Sequence, residues 1–296
     1  MGFCCLIPKK IENLVLLRYL RIPSGELNMI LNSICNLWNL ETLDMRDSRI
    51  ICLPKGIWKL QKLRHLYLDG PTSLPRTDNE AGLPNLQVLS GKAIDKDSAS
   101  LFTKARFPIV RKLYLYSLGV AGLWSSIHLL SRLQTLKICN YCMLSSPSSS
   151  PLTLTKITLK DVQGLSPFDV GVLGSLTNLR ILKMVMTGGG HPSVFNEINL
   201  NCDESSFRKR VVFKMVKMYV DWTMGKGTMP WLQRLVLDRC QFNKMPLDEL
   251  WCLSALRDLE VLHPDPKLAE RLQQLKMRDG CKLYVYPPLN PSPTTN

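Results

Sequence analysis

The sequence lacks the features of a membrane or secreted protein. A transmembrane helix needs about 20 predominantly apolar residues in a row, and no stretch of the sequence approaches that length. The amino-terminal segment is not a secretory signal, because Pro8-Lys9-Lys10 interrupts its apolar start and no small-residue cleavage site follows. The chain also has no Asn-x-Ser/Thr glycosylation acceptor with a permitted middle residue. We therefore expect a cytoplasmic protein with no membrane span.

Metal-binding and redox motifs are also missing. The chain has 10 cysteines, but only Cys139 and Cys142 have CxxC spacing. A zinc site needs a second such pair, and a thioredoxin-like motif needs a strand-helix-strand context around it. The sequence supplies neither. We expect both cysteines to be structural thiols, and we predict no metal and no cofactor.

Catalytic constellations are equally absent. No nucleophile or paired carboxylate stands at a meaningful spacing from the four histidines, which are His65, His128, His191 and His263. Gly225-Lys226 invites comparison with a phosphate-binding loop, which needs a glycine five residues earlier and Ser or Thr directly after the lysine. Val220 and Gly227 occupy those positions, so the match fails. We predict that the protein is not an enzyme.

Positive charge is abundant. With 38 Lys and Arg against 24 Asp and Glu, the formal net charge is +14. Such a balance favours an acidic partner, which could be nucleic acid, a membrane surface or an acidic protein face. Net charge alone does not choose among the three.

A leucine pattern of the form L-x-x-L-x-L recurs along the chain. Its first four copies begin at Leu17, Leu40, Leu63 and Leu86, a step of about 23 residues each time, which is typical of leucine-rich repeats. The later copies drift more, and a degenerate one is expected near Phe213. The other later copies begin at Val110, Leu133, Leu154, Leu179, Leu232 and Leu256. The sequence therefore predicts about eleven repeats.

Each repeat has two halves, and a single repeat cannot bury its apolar face alone. In a short strand alternate residues face the same way, so the leucines of the pattern lie together in the core. The second half, as in Leu53-Pro54 followed by Ile57 and Leu60, turns the chain back. Stacked repeats then share one continuous core. We predict an α/β leucine-rich repeat solenoid, a curved horseshoe with a parallel β-sheet on its concave face and short helices or loops on its convex face.

One position departs from the usual repeat. Leucine-rich repeats place Asn or Cys three residues after the last apolar strand position, where the side chain bonds the backbone of a tight turn. Only Cys240 conforms. The other repeats have Ser48, Pro71, Ile94, Leu118, Tyr141, Val162 and Thr187 there. We expect the polar ladder along the repeats to be mostly absent.

No domain boundary interrupts the repeats, so we predict a single solenoid over residues 1–286. An irregular insertion is expected at about 188–210, which opens with a run of glycines. A capping helix and strand are expected at about 264–286, with the helix stopping at Gly280. Residues 287–296, rich in Pro and Thr, are expected to be disordered.

The amino terminus matches the interior of a repeat. Residues 7–17 overlay residues 53–63, so we expect the chain to start mid-repeat, on the return half of a unit whose strand is missing. A lipid anchor at Gly2 would need Ser or Thr at position 6, where Leu6 stands. We therefore expect no lipid anchor there.

The strand positions that do not face the core are the candidate binding residues. In the third to eighth repeats these positions include Arg64, His65, Tyr67, Lys92, Arg111, Lys112, Tyr114, Tyr116, Lys137, Lys156, Lys160, Arg180 and Lys183. Asp69 is the only acid among the same positions. Because stacked strands lie about 4.8 Å apart, we predict one basic, partly aromatic stripe that binds protein. The alternative is that these Lys and Arg side chains only keep an exposed sheet soluble.

The flanking strands carry acidic residues. We expect mixed or acidic patches at the two ends of the stripe, formed by Glu41, Asp44, Asp258 and Glu260.

Several segments resemble the leucine-rich repeat region of plant intracellular immune receptors. They are IENLVLLRYL, LWNLETLDMRDSRIICLPKGIWKLQKLRHLYL, LPNLQVLSG, FPIVRKLYLYS and GTMPWLQRLVLDRCQFNKMP. The group is the coiled-coil, nucleotide-binding type, similar to the late-blight and downy-mildew resistance proteins. The resemblance covers roughly residues 7–286.

The resemblance implies a function in sensing and restraint. In that family the repeats restrain an adjoining ATPase module and recognise pathogen effectors, often through the concave face. The expected partners are an acidic effector or host protein and a nucleotide-binding ATPase module encoded upstream, with no specific nucleic acid. This sequence contains no phosphate-binding loop and no coiled coil of its own, so nucleotide switching and cell-death signalling are not carried over.

Two other functions stay open. The chain could be a free-standing leucine-rich repeat scaffold that assembles signalling proteins. It could instead be a substrate receptor for ubiquitin ligation, although no F-box-like segment stands before the repeats in this sequence. An in-frame ATPase module in the genomic sequence upstream of Met1 would favour the immune receptor.

Overall fold

The structure is a computed structural model that divides into two compact units. The first comprises Met1–Asn140 and Leu144–Leu154, and the second comprises Tyr141–Met143 and Thr155–Asn296. The described residues are 9–23, 32–76, 82–94, 101–102, 106–117, 127–140, 153–161, 167–187, 198–202, 207, 211–224, 228–245, 247–251, 253–275 and 279–288. The predicted tail lies outside them apart from its first two residues.

Parallel strands run through the first unit. Within its described residues they are β1 (Tyr19–Arg21), β2 (Thr42–Met45), β3 (His65–Thr72), β4 (Val88–Ile94), β5 (Lys112–Ser117) and β6 (Thr135–Cys139), and each pairs with the next in chain order. The middle leucines of the repeat pattern lie in one row across these strands. That row is Leu20, Leu43, Leu66, Leu89, Leu113 and Leu136. The register follows from the pattern, because a slip of one residue would expose the whole row.

Short 3-10 helices form the return half of the first three repeats. They span Lys9–Asn13, Asn32–Asn36 and Lys55–Lys59. Pro54 precedes the third helix in an extended conformation, where its fixed φ and missing N–H are tolerated. Ile34 and Ile57 are fully buried beside the strand leucines. The return halves therefore fill the core as the repeat pattern predicts.

The second unit contains two parallel sheets. Its described strands are β7 (Lys156–Lys160), β8 (Ile181–Val185), β9 (Ile198–Cys202), β10 (Val211–Val216), β11 (Tyr219–Met224), β12 (Leu232–Asp238), β13 (Gln241–Lys244), β14 (Asp258–Leu262) and β15 (Lys282–Tyr286). In the larger sheet the order is β7-β8-β10-β12-β14-β15. Strand β10 is the degenerate repeat predicted near Phe213, and it lies between β8 and β12.

The smaller sheet has the order β13-β11-β9. Strand β11 buries Val220 and Trp222 on one side, and β-branched and aromatic residues of this kind favour strands. The repeat pattern by itself predicts only a helical turn on the return half. Strand β9 lies within the segment 188–210 that was expected to be irregular, and only β9 and Phe207 of that segment are described.

Three α-helices are described in the second unit: α1 (Pro167–Ser175), α2 (Leu247–Trp251) and α3 (Pro266–Gln274). Helix α3 begins after Asp265, whose Oδ1 accepts a hydrogen bond of 3.1 Å from the Leu268 N–H. The sequence predicts that this helix stops at Gly280, but it ends at Gln274 because Leu275 has an extended backbone. Within the described part of the chain, the helices are too short or too polar to cross a membrane.

Left-handed residues follow several strands of the two larger sheets. They are Asp47, Asn140, Asp161, Lys217, Arg239 and His263, with φ between 51° and 69°. In the second unit four of them donate their N–H to a carbonyl of the next strand: Asp161 to Val185, Lys217 to Asp238, Arg239 to Leu262 and His263 to Tyr286. Backbone bonds therefore hold turns for which the sequence offers no Asn side chain.

Two side chains that stand three residues after the last apolar strand position also contact a backbone carbonyl of the turn. Cys240 is buried, and its Sγ lies 3.6 Å from the Asp238 carbonyl oxygen. Burial raises the pKa of the Cys240 thiol to about 11. Ser48 departs from the Asn/Cys rule, yet it is also buried, and its Oγ donates to the Met45 carbonyl at 2.5 Å. The polar ladder is therefore less sparse than the sequence predicts, because a hydroxyl serves the same turn.

Candidate protein-binding surface

Strand alternation creates an exposed face on each of the larger sheets. In β5, Leu113 and Leu115 are buried while Lys112 and Tyr114 lie on the opposite side. We call the strand residues opposite the buried row, with the residue just before each strand, the exposed face. In the first unit the predicted residues found there are Arg64, His65, Tyr67, Arg111, Lys112, Tyr114, Tyr116 and Lys137. In the second unit they are Lys156, Lys160, Arg180 and Lys183.

Lys92 is not on the exposed face. The pairing of β4 with β5 shifts here, so that Lys92 rather than Gly91 pairs with Leu115. The extra residue forms a β-bulge, and Gly91 supplies the left-handed φ of 83°. The bulge turns Lys92 inward, where its side chain is 1% exposed and its Nζ donates to the Ala93 carbonyl at 2.6 Å. The expectation that Lys92 is an exposed binding residue is therefore wrong.

Tyrosine rings on the exposed face of the first unit contact two cations. The guanidinium of Arg46 lies 4.9 Å from the centroid of the Tyr67 ring, and the His65 ring stacks on the same tyrosine. The Nζ of Lys137 lies 5.7 Å from the centroid of the Tyr114 ring on the neighbouring strand. Contacts between cations and π-systems are worth about 0.5–1 kcal/mol at exposed sites. They favour one orientation of these side chains.

Tyr116 ties two strands of the first unit together. Its hydroxyl donates to the carbonyl oxygen of Asp69 at 2.5 Å, across strand β4. The residue of β4 at the same register is Ala93, whose small side chain leaves room for the ring to pass. This hydrogen bond therefore restrains the Tyr116 ring on the exposed face.

Ion pairs neutralise the amino-terminal end of the predicted stripe. Arg64 lies 3.5 Å from the Glu41 carboxylate, which is also 3.7 Å from Arg18. Asp44 is only 1% exposed and accepts two hydrogen bonds from the Arg46 side chain, at 2.9 and 2.6 Å. These hydrogen bonds lower the pKa of the Asp44 carboxyl. The acidic patch expected at this end is thus a set of ion pairs rather than free negative charge.

Asp44→Asn is expected to remove an acid-sensitive part of the stability. Because the folded-state pKa of Asp44 is lowered, its ionised form stabilises the folded chain above about pH 3.9, the pKa of an unfolded aspartate. That stabilisation is lost as the pH falls through the lowered folded-state pKa. We expect the wild-type chain to be more stable than the variant near pH 7, with a difference that shrinks below about pH 4.

Urea unfolding of the wild type and of Asp44→Asn, near pH 7 and below about pH 4, measures the difference in their free energies of unfolding. An unchanged difference would show that the Asp44 carboxylate does not stabilise the fold. His65 does not confound the comparison, because it is present in both chains. Burial, with the nearby Arg64, lowers the pKa of His65. The effect of His65 on stability therefore begins near about pH 6.5, the pKa of an unfolded histidine, which is above the range in which Asp44 titrates.

On the exposed face of the first unit, two of the predicted cations have neither an ion pair nor an aromatic contact with a described residue. Arg111 and Lys112 are both exposed, and neither forms an ion pair with a described residue. They lie on β5 and directly before it, between the neutralised Arg64 and the ring-bound Lys137. Their charges are therefore not balanced by a described neighbour on the exposed face.

Basic residues of the second unit cluster on its first strands. Lys156 and Lys160 alternate with buried Ile157 and Leu159 on β7. Lys183 occupies the centre of β8, and Arg180 directly precedes that strand. The sequence prediction therefore places these side chains on the correct face, although it does not identify their neighbours.

Lys214 is a basic residue of this face that sequence reasoning missed. It pairs directly with Lys183 on the neighbouring strand. The repeat that contains it has Phe213 and Met215 in place of leucines, so its register is not readable from the L-x-x-L-x-L pattern. Alternation around Phe213 was the signal that could have found it.

The last strands of the second unit carry paired charges. Arg234 on β12 forms a 2.5 Å salt bridge with Glu260 on β14, and Asp238 lies 3.4 Å from His263. Asp258 also faces this side, one position before the buried Leu259. The mixed patch predicted at this end is therefore present, and much of its charge is internally balanced.

The described residues offer little for chemistry. They contain no group of three or more side chains suited to hold a metal ion. A cleft of about 350 Å³ lies between β13 and the start of α3, with Tyr219 and Phe242 in its wall. Asp265 in this cleft is already used to cap α3.

Known proteins share both the repeat and the sequence pattern. A family profile described as "Leucine-rich repeat region" matches residues 4–113. The probable disease resistance RPP8-like protein 2 of Arabidopsis thaliana is 25% identical over 90% of this chain and 32% of its own length. The late blight resistance protein R1-A of Solanum demissum is 29% identical over 73% of this chain and 17% of its own length. The chain is a leucine-rich repeat region similar to those of plant disease-resistance proteins.

Structural similarity supports the same fold class for this leucine-rich repeat region. An internalin from Listeria monocytogenes has a TM-score of 0.55 at 18% identity, over 93% of this chain and 77% of that protein. At this identity the likeness concerns the fold alone. The leucine-rich repeat fold is a non-catalytic scaffold for protein interaction. The chain spans about a third of the first relative's length and less of the second's.

Proposed function

We propose that the chain is the sensing and autoinhibitory leucine-rich repeat part of a cytoplasmic plant immune receptor. Its expected partners are a nucleotide-binding ATPase module, normally encoded upstream, and an acidic effector or host protein. The observation that carries the proposal is the set of unneutralised cations on the exposed faces, on a scaffold similar to plant resistance proteins. In the first unit they include Arg111 and Lys112, and in the second Lys156, Lys160 and Lys214.

The chemistry of these faces favours a protein partner. Lysine and arginine side chains attract carboxylates, while the ordered Tyr67, Tyr114 and Tyr116 offer flat apolar area with a polar tip. Rings that are already held in place lose little conformational entropy on binding. A folded acidic surface uses both features.

A co-purification experiment tests the proposal. The chain is co-expressed with the nucleotide-binding module of a plant resistance protein of the matched type, and the complex is captured through a tag on that module. We expect the wild-type chain to be retained and to lower the rate of nucleotide hydrolysis. Charge reversal at Arg111, Lys112 and Lys156 is expected to release it, because like charges then face the acidic partner.

The matched control changes the same amount of charge on the return halves. Lys10, Lys55 and Lys59 are exposed there, in the 3-10 helices of the first unit. The triple Lys→Glu control is expected to bind like the wild type. Retention of the Arg111, Lys112 and Lys156 variant at wild-type level would refute the proposal.

A free-standing scaffold that assembles signalling proteins is the alternative function. Such a scaffold would also use the exposed faces, but it would need no ATPase module. An in-frame ATPase module in transcripts that contain this sequence would favour the receptor. Binding to several signalling proteins without binding to that module would favour the scaffold.

A further inference from the structure

Two lysines on the exposed face of the second unit lie at the centre of an apolar patch. Strand β8 presents Ile181 and Val185 on either side of Lys183, and strand β10 presents Val212 and Val216 on either side of Lys214. The three rows pair directly: Ile181 with Val212, Lys183 with Lys214, and Val185 with Val216. We call these six residues the lysine–aliphatic patch.

No acid compensates Lys214 within the described residues. Its neighbour on one side is Lys183, and its neighbour on the other side is the buried Val236 of β12. Like charges directly opposite each other on adjacent strands are destabilising. A pair of like charges that costs stability in this way is typical of a functional site.

Several cations of the first unit are held by neighbouring side chains, whereas Arg111 and Lys112 are not. Arg46 is bound to Asp44, Arg64 to Glu41, and Lys137 to the Tyr114 ring. A partner that approaches those residues must compete with contacts that already exist. Lys214 has no such contact to give up among the described residues, so a carboxylate that reaches it adds an ion pair without breaking one.

We infer that the lysine–aliphatic patch is the docking site for a protein segment that presents carboxylates within an apolar surface. The inference rests on the proposed function and adds the chemistry of the partner. Apolar contacts with the valines and Ile181 would exclude water from the lysines, and an ion pair is stronger where water is excluded. Lys156 and Lys160, on the adjacent strand β7, widen the basic side of the patch.

Short peptides of defined composition test the chemistry. The probes are an alternating glutamate–valine peptide, the same peptide with glutamine for glutamate, an oligoglutamate and a single-stranded DNA oligonucleotide. Fluorescence anisotropy measures the affinity of each for the full chain. We expect the glutamate–valine peptide to bind at least about tenfold more tightly than the glutamine peptide and the oligoglutamate.

Three outcomes would overturn the inference. Equal binding of the oligoglutamate would show that the aliphatic residues contribute nothing. Equal binding of the glutamine peptide would show that the carboxylates contribute nothing. Tighter binding of the DNA, with a steep loss at higher salt, would assign the patch to nucleic acid instead.

Two double variants locate the binding site. Lys183→Glu with Lys214→Glu is expected to weaken the glutamate–valine peptide about tenfold or more, because both charges reverse. Val212→Thr with Val216→Thr keeps the shape and the β-branched side chains, and is expected to weaken it less but measurably. The control is Lys244→Glu with Lys267→Glu, two exposed residues away from the larger sheet, and it is expected to bind like the wild type.

The result also separates this inference from the proposed function. If the Lys183 and Lys214 variant keeps wild-type affinity for the peptide and for the ATPase module, while the Arg111, Lys112 and Lys156 variant loses the module, only this inference fails. If the Arg111, Lys112 and Lys156 variant still binds the ATPase module, the proposed function fails. Circular dichroism of each variant confirms that it is folded.

Discussion

Leu66→Ala is expected to lower the free energy of unfolding by about 2–5 kcal/mol. Leu66 lies in the middle of the leucine row of the first unit and is 0% exposed. Its loss leaves a cavity between two repeats, and the neighbouring strands cannot close it without giving up their register. Because each repeat contacts mainly its neighbours, the damage also weakens the stacking of β2 and β4 on β3.

The midpoint of urea unfolding, with a constant slope, measures this effect. Leu129→Ala is the matched control, since Leu129 lies in a turn and is 44% exposed. The control is expected to change stability by no more than about 0.5 kcal/mol. Equal effects of the two substitutions would contradict the central position of Leu66 in the core.

Lys92→Glu is expected to destabilise the chain by about 3–5 kcal/mol, whereas Lys112→Glu is expected to change stability by about 0.5 kcal/mol or less. The glutamate would place a buried carboxylate beside the Ala93 carbonyl, which now accepts a hydrogen bond from the Lys92 ammonium. Two acceptors would then face each other without water. Lys112 is exposed on the next strand, so its reversal meets solvent.

Urea unfolding of the two variants compares an inward and an outward lysine of the same predicted stripe. Lys92→Met is a useful third variant, because it keeps the length of the side chain and removes the charge. It is expected to be far milder than Lys92→Glu. A mild effect of Lys92→Glu would return Lys92 to the exposed face and disprove the bulge at Gly91.

The repeat pattern predicted the main sheets well because it reports burial directly. A leucine every second position within a strand, repeated at a nearly constant step, leaves a single register that buries the whole row. Leu43, Leu66 and Leu113 therefore lie where the sequence places them. The return half with Pro54 was predictable for the same reason, since Ile57 and Leu60 have no other place to be buried.

Local backbone geometry was not predictable from the same pattern. One glycine at position 91 changes the parity of β4, and the side of Lys92 changes with it. The rule that alternate residues share a face holds only until such a bulge. The left-handed residues that close the turns, such as Lys217 and Arg239, are also not signalled by residue type. Glycine or asparagine would have been the expected choice.

The exposed faces were predicted in outline, but Lys214 was missed. Alternation placed Lys156 and Lys183 on the correct face, but Lys214 lies in a repeat whose leucines are replaced. The composition also does not show which Lys and Arg side chains have an acidic neighbour. Arg64 contributes a charge to the sequence count, yet Glu41 lies 3.5 Å from it. Only the pairing of strands reveals such neighbours.

The most direct test of the account is lysine acetylation footprinting of the chain alone and in complex with the nucleotide-binding module. Mass spectrometry reports the reactivity of each lysine in both states. If the exposed faces bind the module, reactivity falls at Lys112, Lys156, Lys160 and Lys214, which lie on those faces. Lys55, Lys244 and Lys267, which are exposed elsewhere, should react equally in both states. Protection confined to Lys55, Lys244 and Lys267 would contradict the claim that the exposed faces bind the partner.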